Sequence, residues 1–153
     1  MNVTAADFQR DYAAIRRVRF AVFVDEQRID ADLEMDDRDP HCEHVLAWDA
    51  RGEAVGTGRI DFAAGGKVGR VAVLASARRT GVGTALMEKL HELARSREAG
   101  TVWCNAQVSA VPFYLGLGYR IVSERFDEAG IDHVRMERAL DHPPRRRAGV
   151  AGA

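Results

Sequence analysis

The stretch RRTGVGTALM at residues 78–87 constrains this chain more than any other. Two glycines, Gly81 and Gly83, stand between the small apolar run VGRVAVLAS and the amphipathic run ALMEKLHELAR. Glycine in a helix costs about 1 kcal/mol relative to alanine, so a pair at a helix start needs a physical reason. The first N–H groups of a helix lack intrahelical partners, and the helix dipole favours negative charge there. Where no Cβ stands in the way, an anion can approach those groups. Arg78 and Arg79 add two cations beside them. The stretch therefore reads as strand, phosphate or pyrophosphate cradle, helix. A P-loop is excluded, because no Gly-Lys-Ser/Thr occurs. The dinucleotide fingerprint fails too, since its third glycine would fall at Leu86, inside the helix.

The rest of the pattern is α/β. Phe8, Tyr12, Ile15, Val18 and Val22 recur at three- and four-residue steps, one face of a helix. Thr4-Ala5-Ala6-Asp7 resembles the capping box that would start it. The pattern fades in VFVDEQ. Residues 25–41 are acidic and aperiodic and read as a long loop, of a length usually kept for function or mobility. CEHVLAWDARGEAVGTGRIDF holds two strands around the turn Asp49-Ala50-Arg51-Gly52. VGRVAVLA is a third strand, in which Gly69 and Ala72 signal a bulge or the close approach of a ligand. Val82, Leu86, Leu90 and Leu93 mark a helix face that runs out near Gly100, and TVWCNAQ is a fourth strand. Strand, helix and strand in this order make a right-handed crossover, so the third and fourth strands should lie parallel. Ser109 and Pro112 open a short helix. YRIVSERF and IDHVRMERAL form a hairpin across Asp127-Glu128-Ala129-Gly130.

A chain of 153 residues suits one domain, here residues 1–140. The tail 141–153 has no core-forming pattern and is expected to be disordered. A net charge of −1 gives no overall field that would favour nucleic acid or an anionic membrane. No apolar run approaches the ~20 residues that span a bilayer, and the N-terminus has no apolar signal core. Cys42 and Cys104 lie far apart in no metal or redox spacing and read as free thiols in a reducing compartment. A soluble cytoplasmic protein is expected, with no nucleic-acid or membrane partner.

With these motifs in place, VAVLASARRTGVGTALMEKL resembles the acetyl-coenzyme A motif Arg/Gln-x-x-Gly-x-Gly/Ala of the GNAT superfamily of N-acetyltransferases. NAQVSAVPFYLGLGYRIVSERF is similar to that superfamily's second segment, an aromatic pair on a short helix before a Gly-aromatic turn. VRFAVFVDEQ, His44 and FDEAGIDHVRM resemble one small bacterial branch, and the likeness covers roughly residues 8–140. Two departures stand out. Arg79 occupies a position that is often glycine, and only Met1-Asn2-Val3 precede the first helix where the family has a strand.

The resemblance implies a mixed, mostly antiparallel sheet with flanking helices and a splayed parallel strand pair. It implies acetyl-coenzyme A as cosubstrate, with no metal. Val71, Ala72 and Val73 on one strand and Asn105 on the other would line the splay. Arg78, Arg79, Thr80, Gly81, Val82, Gly83 and Thr84 would hold the pyrophosphate, with Phe113 and Tyr114 beside them. The chemistry would be direct attack of an amine on the thioester. Val73 N–H is the candidate oxyanion donor and Tyr114 the acid that protonates the leaving thiolate. Three side chains compete for the role of base: Glu26, His44 and His133.

Metal motifs fail on their spacing. HELAR has Arg95 where a zincin needs its second histidine. His41 and His44 have no clear third ligand, and the alternating Asp30, Asp32, Glu34 and Asp36 lack the glycine of a calcium loop. That acidic loop reads as solvated, or as a rim attracting a cationic acceptor. The acceptor itself stays open among polyamine, amino sugar, peptide N-terminus and protein lysine. Dimerisation is common in the family, and the last hairpin could supply an edge for a homodimer. A second function class remains: an acyl-coenzyme A sensor of the same fold without turnover.

Overall fold

In the computed structural model, residues 1–31 and 35–140 are described. The expected disordered tail 141–153, with Asp32 and Glu34 of the acidic loop, lies outside the described residues.

The first departure from expectation is at the N-terminus. Instead of a capping box, Asn2–Ala6 form a strand, β1, antiparallel to β2 (Glu43–Trp48) in the register Asn2↔Trp48 to Ala6↔His44. The strand that seemed nearly missing is thus present. Pairing satisfies the outer edge of β2, and Trp48 Nε1 donates to Thr4 Oγ1 at 3.0 Å across the two strands. Capping moves downstream, where Asp7 accepts from the Arg10 N–H and Asp11 accepts from the Asp7 N–H. Helix α1 then covers Tyr12–Arg19 and passes into a π-helical segment, Phe20–Glu26. The change of helical pitch is why the apolar period faded at VFVDEQ.

Strand β3 (Ala54–Asp61) returns from the expected turn, and β4 (Lys67–Val73) follows. Between them the register shifts by one residue between Thr57 and Arg59, with Arg70 at φ +52°, so the expected bulge is real. Helix α2 (Val82–Ser96) crosses over to β5 (Thr101–Gln107), and helix α3 (Val111–Gly116) follows. The expected final hairpin is split. Both β6 (Arg120–Ile121) and β7 (Phe126–Glu128) pair with β8 (Ile131–Ala139), with registers offset from each other. The sheet runs β1-β2-β3-β4-β5-β8-β6, with β7 also on β8. All pairs are antiparallel except β4–β5.

Each face of the sheet carries its own core. Ile15, Val18, Val22 and Phe23 of the first helix pack on Leu46, Ala54 and Ala72. Leu86, Met87 and Leu90 of α2 pack on Val45, Ile60, Val102 and Met136 from the other side. The α2 helix sits close because β3 offers glycine: a Cβ at Gly56 would lie 2.9 Å from Leu86 Cδ1.

The acidic loop is not simply solvated. Its Asp39 is fully buried, taking Arg19 at 2.9 Å and Arg59 at 2.7 Å, while Asp36 takes Arg59 and Arg70. Asp61 holds Arg38 through two bonds of 2.9 Å. Burying an arginine costs less when its charge is met by a carboxylate in good geometry. Asp36 and Asp39 therefore fold inward onto Arg19 and Arg59 and are not available as a rim, whereas Asp37 stays exposed.

Candidate active site

Between β4 and β5 the single bridging pair among the described residues is Lys67 and Trp103. Beyond it the two parallel strands splay. Hydrogen-bond parity decides which backbone groups face the gap. Leu74 N–H donates to Val55 O at 2.9 Å, so Leu74 and, two residues back, Ala72 face β3. Val73, between them, faces the gap, and its carbonyl accepts Arg78 Nε at 3.0 Å. Val71 lies within the bulge, two residues before Val73, with its side chain against Gly58. On the far side Trp103 N–H donates to Gly66 O, which puts the backbone of Asn105 and Gln107 toward the same gap.

At one end of the splay stands the start of α2. Its N-cap is Gly81 at φ +85°, a left-handed conformation that costs other residues about 1–2 kcal/mol. No side chain caps this helix, and its first turn closes with Ala85 N–H to Gly81 O. The N–H groups of Val82, Gly83 and Thr84 precede that bond, so they are the natural anion donors. The two glycines serve different ends. Gly81 supplies the left-handed turn, whereas a Cβ on Gly83 would lie 3.3 Å from Phe113 Cζ. Gly83 thus lets Phe113 close against the helix start. Arg79, where the family often has glycine, is itself left-handed at φ +64°. These features fit a coenzyme A pyrophosphate and pantetheine.

On the α1 side of the splay a groove of about 780 Å³ opens. Tyr114, Val71, Ala106 and Ala110 line one end, with Gln107, Asn105, His133 and Glu128 alongside. Burial pushes the Tyr114 phenol well above its usual range, so it stays protonated and can only donate. His133 is 6% exposed. Its Nδ1–H donates to the Ile131 carbonyl at 2.7 Å, which leaves Nε2 as the acceptor, 3.8 Å from Glu128 Oε2. Asn105 Nδ2 donates to the other Glu128 oxygen at 3.2 Å.

The family model for the GNAT acetyltransferase domain matches residues 7–140. The chain belongs to the GNAT acetyltransferase family. It is an acyltransferase, as its relatives bear out. The N-acetyltransferase YjcF of Bacillus subtilis, itself uncharacterised, is 42% identical over 78% of this chain and 86% of its own. The crystal structure of an N-acetyltransferase assigned in Lactobacillus plantarum superposes with a TM-score of 0.83 at 29% identity, covering 91% of this chain and 97% of that one. An aminoglycoside 6'-N-acetyltransferase solved with coenzyme A shares the fold, with a TM-score of 0.71 at 17% identity, covering 94% and 99%.

Within this GNAT domain the expected site residues separate into groups. Val71, Val73, Arg78 to Thr84 and Phe113 gather around the splay and the α2 start. Tyr114, Asn105 and His133 line the groove. Ala72 does not belong: its backbone faces β3 and its methyl is in the α1-side core. Among the candidate bases, His44 is excluded by position. It is 1% exposed, stacks on Phe8 at 4.9 Å, and donates Nε2–H to the Asp39 carbonyl. Its remaining lone pair on Nδ1 is buried without a partner, and burial lowers its pKa. Glu26 stands outside the groove lining, with both oxygens held by Arg78. That bond pulls its pKa down, which weakens it as a base.

The sequence reading missed Glu128 and His91. A two-residue turn at Ala129–Gly130 pairs Glu128 with Ile131 and Phe126 with His133, so the register alone would have placed Glu128 beside the histidine. His91 is buried in α2 and links Tyr119 (2.7 Å from Nε2) to Arg138 (3.3 Å from Nδ1). Burial and then Arg138 push its pKa down to about 4, so it is neutral and braces Tyr119, which packs edge-on against Tyr114.

Proposed function

We propose that this enzyme moves an acetyl group from acetyl-coenzyme A to a primary amine by direct attack, with His133 as base and Tyr114 as acid. The observation that carries this reading is the commitment of His133 Nδ1–H to the Ile131 carbonyl. It leaves a basic Nε2 in the groove that also holds Tyr114 and Glu128. The coenzyme supplies an acetyl group activated as a thioester. The N–H groups of residues 81–84, with Thr80, Arg78 and Arg79, hold its diphosphate, and the edges of Val71 and Val73 meet its pantetheine amides. An aminoglycoside 6'-N-acetyltransferase of the same fold was solved with coenzyme A, which supports the coenzyme as the group held.

A lysine-type amine enters protonated, with a pKa near ~10.4. Glu128 attracts the ammonium. His133 Nε2 accepts the proton that frees the nitrogen lone pair, and Glu128 stabilises the imidazolium that results. Val73 N–H faces the gap and meets the negative charge that develops on the acyl oxygen. Tyr114 donates its proton to the departing sulfur. The test is release of free thiol from acetyl-coenzyme A with a panel of primary amines. His133→Gln should lower kcat/KM about a hundredfold or more, with coenzyme A binding by calorimetry intact. Wild-type turnover in that variant would place the base elsewhere.

A further inference from the structure

The groove does not end at the reacting groups. From Tyr114, Gln107 and His133 it runs past Asn105 to Lys67, Ala63 and Ala64. Its arginines are committed: Arg38 to Asp61, Arg59 to Asp36 and Asp39, Arg70 to Asp36. Two cations nearby are not: Lys67, in the groove lining, and Arg135, on β8 outside that lining. Lys67 Nζ lies 5.2 Å and the Arg135 guanidinium 3.7 Å from the centre of the same Trp103 ring. Neither forms an ion pair among the described residues, and Glu137, opposite Trp103, is taken by Arg120. Two like charges on one indole with no carboxylate between them make an electropositive corner that an anion would relieve.

Strand register sets its distance from the chemistry. His133 lies opposite Gln107, Arg135 opposite Asn105, and Trp103 one step further, beside Lys67. At about 3.3 Å per residue, His133 to Arg135 spans roughly 7 Å and Gln107 to Trp103 roughly 13 Å.

We propose that the acceptor is an amine that also carries an anionic group, a carboxylate or a phosphate, on an extended chain of about that reach. Its amine meets Glu128 and His133, and its anion sits between Lys67 and Arg135 beside Trp103. This rests on the assignment of His133 to the amine end. A polycation is the poorer fit, because Asp36, Asp39 and Asp61 are spent on arginines and the far end of the groove is basic.

The experiment compares ω-aminooctanoate, its primary amide, the matching ω-aminoalkylphosphonate and the linear octanediamine as acceptors for the full chain. The two anionic compounds should show a KM roughly tenfold below the amide and the diamine. Their order separates a carboxylate from a phosphate site. Lys67→Met and Arg135→Met should each bring the acid-to-amide ratio toward one, whereas Arg51→Met, in the distant β2–β3 turn, should not. Equal or better use of the amide or diamine by the wild-type protein overturns the proposal, as does a ratio that survives both substitutions. Calorimetric titration of the same compounds into the coenzyme A-saturated protein reads the preference without turnover. Silent thiol release with selective anion binding would condemn the assigned transfer. Equal binding of acid and amide would condemn the anion site.

Discussion

Arg78 ties two distant segments together: its guanidinium donates to both oxygens of Glu26, at 2.6 and 2.7 Å, while its Nε donates to the Val73 carbonyl at 3.0 Å. One side chain thus joins the end of the π-helical segment to the end of β4. The same guanidinium is the cation assigned to the coenzyme diphosphate, so Glu26 and the diphosphate compete for it. Glu26→Gln should therefore tighten coenzyme A binding by about two- to fivefold, the scale of a surface ion pair. Arg78→Ala should weaken it about tenfold or more. Calorimetry measures both, and a weaker Kd in Glu26→Gln would show that Glu26 supports the arginine instead.

Tyr114 is buried, packed at 5.1 Å against Phe113 and at 5.4 Å against Tyr119, and held protonated by its surroundings. Removing only its hydroxyl should leave that packing in place. Tyr114→Phe is expected to lower kcat by about a hundredfold with little change in coenzyme A Kd. Single-turnover thiol release checks it. A kcat within twofold of wild type would reduce Tyr114 to a wall of the groove.

The buried ion cluster makes stability depend on acid. Arg59, with Arg70, holds Asp36 against the cost of burial at a pKa of about 2, below its ordinary 3.8, and Arg19 lowers Asp39 as well. Both folded values lie below the unfolded ones. Their contribution is therefore complete above about pH 4 and is lost as pH falls toward 2. After allowance for its partial exposure, Asp36 accounts for about 1–2 kcal/mol. Urea melts from pH 5 to 2 should show that loss, and Asp36→Asn should flatten it.

Arg79 sits at φ +64°, a conformation that costs a residue with a Cβ about 1–2 kcal/mol. Arg79→Gly should recover about 1 kcal/mol of that strain and raise Tm by about 2–4 °C. The same change removes a cation from the cradle, so the coenzyme Kd should rise about two- to fivefold. Thermal melts and calorimetry separate the two effects. An unchanged Tm would mean that the loop carries no strain at this position.

Local signals were legible where one residue type does one physical job. Gly81 at the start of α2, the apolar face Val82 to Leu90 and the run TVWCNAQ each specify their element without help from distant residues. The strand–helix–strand order fixed the parallel pair, and Gly69 announced the bulge in β4. What misled was context. Asn2–Ala6 is a strand because β2 offers an edge, and no local pattern records that edge. His44 and His133 both look like strand histidines in the chain, yet one is sealed beneath Phe8 and the other opens on the groove. The acids near residue 36 appear solvated until Arg19 and Arg59 arrive from elsewhere in the chain.

By itself, then, the chain's sequence determined the α/β class, the uncapped glycine start of α2 and the family to which it belongs, because backbone conformation and helix ends answer to neighbours in sequence. Tertiary structure alone opened His133 onto the groove, set Glu128 beside it, and brought Lys67 and Arg135 to Trp103 without an ion pair among the described residues. Burial, charge pairing and strand register are properties of residues far apart in the chain, and only folding brings them into one groove.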